Sequence, residues 1–133
     1  MRVAELMQPK VTTVGSDATV AEASVSLADA HISGMPVVDG AGKVIGIVSA
    51  TDLLTAEAEA GDPTARQALF DSTPVRDIMT PRPYTIAPDE DIREAACQML
   101  YADVHRLFVA EGDKVVGIIT TTDIVRAVAT GKL

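Results

Sequence analysis

Apolar positions along the chain switch between two spacings, and they run through the whole cycle twice. The stretches "VTTV" and "YTIA" each follow a proline and read as short extended pieces. "DATVAEASVSLADA" then places Val20, Ala23 and Leu27 at helical spacing. "DEDIREAACQMLYADV" does the same with Ile92, Ala95, Met99 and Leu100, and Asp17 and Asp89 stand where N-caps are expected. Next, "MPVVDGAGKVIGIVS" and "LFVAEGDKVVGIIT" are pairs of apolar runs around a glycine-containing turn, a hairpin signal. Finally, "TDLLTAEAEA" and "TDIVRAVAT" begin helices directly after a strand. The predicted unit is β-α-β-β-α, repeated, and one copy is too small to close a core.

Residue identities confirm the duplication. At an offset of 72, Val3/Val75, Met7/Met79, Pro9/Pro81, Thr13/Thr85, Asp17/Asp89 and Glu22/Glu94 coincide. After Gly40/Gly112 the offset becomes 71, and Lys43/Lys114, Gly46/Gly117, Ile47/Ile118, Thr51/Thr122 and Asp52/Asp123 fall together. The organisation is therefore a first repeat over residues 3–56, a linker over 57–74 and a second repeat over 75–128. The linker carries a Gly-Asp-Pro break, and a helical turn is expected over residues 64–70.

Composition narrows the chemistry. A fold of 133 residues buries roughly two thirds of its unfolded surface, enough for a core without staples. With 47% hydrophobic but 3% aromatic residues, that core is built from Val, Ile, Leu, Ala and Met. The single cysteine, Cys97, cannot form an internal disulfide, reads as helix packing, and suits a reducing cytoplasm. No apolar run reaches the ~18 residues of a membrane helix, and the opening "MRVAELMQPK" lacks a signal-peptide h-region. A net charge of −8 repels nucleic acid and anionic membranes, so neither is an expected partner.

With β-α-β-β-α twice, "PVVD" before a glycine turn and G-I-[IV]-[ST]-x-T-D in both copies, the chain resembles the cystathionine-β-synthase (CBS) domain family. Two tandem CBS repeats make a Bateman module, and the resemblance spans nearly the whole chain. It implies a mixed α/β (α+β) fold whose repeats pack through their sheets with pseudo-twofold symmetry. Two clefts then hold adenosine-containing ligands, lined by the S/T-x-x-D element. Ser49, Thr51 and Asp52 match that element in the first copy, and Thr120, Thr122 and Asp123 in the second.

The chemistry of these residues suits such a ligand. A carboxylate accepts hydrogen bonds from both hydroxyls of a ribose, and threonine hydroxyls donate or accept toward phosphate or an adenine edge. A helix expected to begin right after Asp52 and Asp123 would favour an anionic group nearby. The same Thr and Asp also read simply as helix caps, although a Ser or Thr placed before the cap is not what capping asks for.

Further candidates follow from the resemblance. "VHRLFV" looks like a segment of AMP-sensing members of the family in which a His-Arg pair reaches nucleotide phosphates, which assigns that role to His105 and Arg106. Otherwise the two form an exposed helix-end pair. The first copy has Ser33 and Gly34 there, with His31 two residues earlier, opposite Asp103, so two inequivalent clefts are implied. "MQP" (Met7 to Pro9) and "MTP" (Met79 to Pro81) resemble a segment whose backbone and small polar residue line the cleft, which makes Thr80 a candidate. Pro36, Val37, Phe108 and Val109 would wall an adenine, or equally be ordinary core.

These readings converge on a ligand-sensing regulatory module for AMP, ADP or ATP, requiring no cofactor and forming a homodimer, acting on a regulated protein that the sequence does not name. A ligand-independent interaction scaffold is the competing reading. The chain shows no nucleophile-base pair, metal-ligand cluster, Walker or dinucleotide motif, so it is not expected to be an enzyme.

Overall fold

A computed structural model of the chain describes residues 1–81 and 84–133. In chain order the elements are α1 (Val3–Leu6), β1 (Val14–Gly15), α2 (Val20–Ala30), β2 (Gly34–Val38), β3 (Val44–Ser49), α3 (Ala50–Glu59) and α4 (Pro63–Ser72). A 3-10 turn (Val75–Asp77) follows, then β4 (Thr80–Pro81), β5 (Thr85–Ile86), α5 (Ile92–Ala102), β6 (Arg106–Glu111), β7 (Lys114–Thr120) and α6 (Thr121–Ala129). The predicted β-α-β-β-α order is present twice. The helical turn expected over 64–70 is instead a ten-residue helix, started by the Asp62 side chain accepting from the Ala65 N–H and by Pro63 at its first position.

The chain divides into two compact units that do not follow the sequence repeats. Thr12–Pro83 form one, and Met1–Val11 together with Tyr84–Leu133 form the other. In the first, the sheet runs β1-β2-β3-β4, with β1 parallel to β2 and the remaining pairs antiparallel. In the second it runs β5-β6-β7, and Gln8 bridges antiparallel to Ile118 where the other unit has Thr80 opposite Ile47. Each repeat thus lends its leading segment to the sheet of the other repeat's sequence.

The cores follow the same exchange. Val75 is fully buried beside Ala23, Leu27, Met35, Val37 and Val48, whereas Val3 is fully buried among Ile92, Ala95, Met99, Leu107, Val109 and Ile119. Period-2 alternation puts Pro36 and Phe108 on the opposite sheet faces from Val37 and Val109, and both are buried. Leu100, expected on the buried stripe of its helix, is 83% exposed, and Cys97 is exposed rather than packed.

The lent segments also correct the expected caps. Asp17 and Asp89 do not cap: α2 is capped by Thr19, whose hydroxyl accepts from the Glu22 N–H, and α5 by Asp91, which accepts from the Arg93 N–H. The cause is tertiary. Val75 and Arg76 N–H groups bond the Ala18 and Ser16 carbonyls, while Val3 and Ala4 bond those of Glu90 and Pro88. Those bonds hold the backbone extended just where the helices would otherwise begin, and Asp17 is left to pair with Arg76.

Candidate functional site

Both strand-to-helix junctions are built alike. Ser49 ends β3 as the N-cap of α3, its hydroxyl accepting from the Asp52 N–H at 3.2 Å. Asp52 sits three residues into the helix and its Oδ2 reaches back to accept from the Ser49 N–H at 2.9 Å and the Ser49 hydroxyl at 3.0 Å. Thr120 and Asp123 repeat this at the end of β7, with the same distances of 3.2, 2.9 and 3.0 Å. This is a reciprocal capping box, with Asp in the place Glu or Gln usually takes.

Two expectations change accordingly. The helices begin at Ala50 and Thr121, before the aspartates and not after them. The early Ser or Thr that capping did not seem to require is the cap itself. Thr51 and Thr122 lie in the first helical turns and are exposed.

The capping box occupies one carboxylate oxygen and leaves the other to a side chain of the lent segment. Asp52 Oδ1 accepts from the Thr80 hydroxyl at 3.1 Å, and Asp123 Oδ1 from the Gln8 amide at 3.2 Å. Gln8 and Thr80 are equivalent positions of the two repeats, each reaching the other repeat's aspartate.

Glycine makes that delivery possible. A Cβ on Gly46 would lie 2.8 Å from the Thr80 carbonyl oxygen, and one on Gly117 would lie 2.9 Å from that of Gln8. Only a residue without a side chain lets the lent segment lie this close.

Of the other predicted residues, Ser33, His105 and Arg106 lie at these junctions, each within its own unit. The Ser33 carbonyl accepts from the Ala50 N–H and the His105 carbonyl from the Thr121 N–H, so both stand beside a helix start. His105 is exposed, and Arg106 opens β6 opposite Thr120 instead of ending a helix. His31 and Asp103 occupy matching left-handed C-cap positions, with φ of 54° and 55°. Pro36 pairs with Ile47 inside its sheet and is fully buried. Gln8 lies in the "MQP" segment but is not singled out by sequence reasoning; the signal was its alignment with Thr80.

The sequence profile of the CBS domain matches residues 3–59 and 75–130. The chain belongs to the CBS domain family. The CBS domain-containing protein CBSX1, chloroplastic, of Arabidopsis thaliana is 33% identical over 94% of this chain and 63% of its own length. Inosine-5'-monophosphate dehydrogenase of Methanocaldococcus jannaschii is 34% identical over 92% of this chain and 22% of its own. The chain therefore spans less than two thirds of these curated relatives. Among solved structures, CBSX2 of Arabidopsis thaliana in complex with AMP superposes with a TM-score of 0.81 at 28% identity, covering 99% of this chain and 98% of that one. The CBS domain pair of protein MJ0100, in complex with 5'-methylthioadenosine and S-adenosyl-L-methionine, gives 0.79 at 27% identity over 100% and 98%.

This CBS pair has the family's mixed α/β fold with two repeats. Among its described residues no helix is long and apolar enough to cross a membrane.

Proposed function

We propose that this CBS pair is a regulatory module that binds an adenosine-containing nucleotide of the AMP, ADP or ATP type at its strand-end carboxylates. It passes occupancy on as a change in what it presents to a regulated protein. The observation that carries the reading is the orientation of Asp52 and Asp123: the capping box fixes each carboxylate and leaves Oδ1 turned to an exposed side chain. An anchored acceptor of this kind suits a ribose hydroxyl. CBSX2 in complex with AMP and MJ0100 in complex with two adenosine compounds lend the ligand class. Ser33, Ser49, Thr51 and Thr80 offer hydroxyls around Asp52, as Thr120 and Thr122 do around Asp123. His105 and Arg106 supply the groups suited to phosphate. Regulation further requires that the ligand favour one arrangement over another, because equal affinity for both shifts nothing.

Calorimetric titration with AMP, ADP, ATP and S-adenosylmethionine, paired with thermal melts, tests this directly. A bound nucleotide at ~100 times its Kd stabilises by about 2.7 kcal/mol. Unchanged affinity after replacing Asp52 and Asp123 together by Ala would sink the ribose assignment.

An exposed apolar face favours self-association as part of this function. Leu100, Tyr101, Val125 and Val128 on α5 and α6 are 60 to 96% exposed. A shallow apolar groove of about 270 Å³ beside them is lined by Met99, Leu100, Val104, Ile124 and Val125. A homodimer through this face would cover it, and it is also what a ligand-independent scaffold would use. The single Cys97 suits the cytoplasm as the compartment, and the module has no catalytic role of its own.

A further inference from the structure

The two strand-end carboxylates are not equally open, and the difference lies in four side chains. Asp123 is only 6% exposed, whereas Asp52 is partly exposed. Around Asp123, the Gln8 amide lies 3.2 Å from Oδ1 and 3.5 Å from Oδ2, and the Arg126 guanidinium lies 3.6 Å from Oδ1. Thr120 fills the remaining positions on Oδ2 through its N–H and hydroxyl. Around Asp52, the position of Gln8 is Thr80 and that of Arg126 is Thr55. Among the described residues, Oδ1 there accepts from the Thr80 hydroxyl alone.

A ribose diol arriving at Asp123 must displace an amide that already donates to both carboxylate oxygens, and must compete with a guanidinium. It gains only what it breaks, and swinging Gln8 aside turns several torsions. At Asp52 the competitor among the described residues is one neutral hydroxyl, which leaves by rotation about a single bond and can then accept from the ligand. Resting on the adenosine reading above, we infer that the ligand loads at Asp52, and that Gln8, backed by Arg126, is a plug that keeps Asp123 closed. Gln8 and Thr80 are then the residues that set which carboxylate is used.

Both positions are exposed, so exchanging their side chains is compatible with the fold. The test is calorimetric titration of the whole chain with AMP and, separately, with 5'-methylthioadenosine. The wild type should take one ligand per chain. Gln8→Thr should raise that to two, and Thr80→Gln should weaken the existing site at least tenfold. Two equal sites in the wild type, a stoichiometry that stays at one in Gln8→Thr, or an unchanged affinity in Thr80→Gln would each overturn the plug while leaving adenosine binding standing. Failure of both wild type and Gln8→Thr to bind either compound would instead remove the adenosine reading, and this inference with it.

Discussion

The Met7 sulfur lies 2.6 Å from the point where a Cβ on Gly117 would be, so these two residues hold the lent N-terminal segment flush against β7. The methionine side chain could yield, but the Gln8 carbonyl oxygen at 2.9 Å is backbone and could not without moving the strand pair. Gly117→Ala should therefore destabilise the protein by about 1–3 kcal/mol, as overpacking does. Gly46→Ala, facing Met79 and the Thr80 carbonyl, should behave alike. Urea unfolding reads this as a lower midpoint, and an unmoved midpoint would contradict it.

The capping boxes make a second, sharper contrast. Ser49→Ala and Thr120→Ala should each cost about 1 kcal/mol. For a chain of this size that is a fall of roughly 3–6 °C in melting temperature. Thr51→Ala and Thr122→Ala, two positions along and exposed, should stay within about 0.5 kcal/mol of the parent. Equal losses at all four positions would mean that the box is not what holds these junctions.

Phosphate recognition separates from ribose recognition by choice of ligand. In the Gln8→Thr chain, which opens the site beside it, Arg106→Ala should weaken AMP at that second site by about tenfold, roughly 1.4 kcal/mol, and leave 5'-methylthioadenosine nearly unchanged. Equal weakening of both would show that the guanidinium does not read phosphate.

Self-association through α5 and α6 predicts a change of mass and not of fold. Tyr101→Glu combined with Leu100→Glu places charge on side chains that are 96% and 83% exposed, so the monomer should fold normally. Sedimentation velocity should then shift from dimer to monomer. A parent that already sediments as a monomer would count against the homodimer.

Much of this architecture is legible in the sequence because local signals agree with it. Helical spacing at Val20, Ala23 and Leu27, and glycine turns inside the hairpins, locate their elements without help. The misreadings occur where a distant segment decides. Asp17 and Asp89 are good caps by local rule, yet the docking of Val75 and Val3 keeps their backbone extended and moves the helix starts to Val20 and Ile92. Leu100 fits an apolar stripe, but α5 turns only Ile92, Ala95 and Met99 inward. Gln8 sits in the "MQP" segment, yet nothing local aims it at Asp123. Its place beside Asp123 depends on a contact across 115 positions of chain, visible only once the sheet is assembled.

The traded leading segments bear on how such a molecule can arise and be cut. A fragment ending at Thr73 would keep residues 1–11 with nothing to dock on, and would leave open the space that Val75 fills. The complementary fragment would lack Val3, and with it part of its own interior. A one-repeat ancestor would have been complete only as two chains clasping each other by their N-terminal arms. Joining two such copies in one polypeptide would turn that intermolecular handshake, dependent on concentration, into a permanent one.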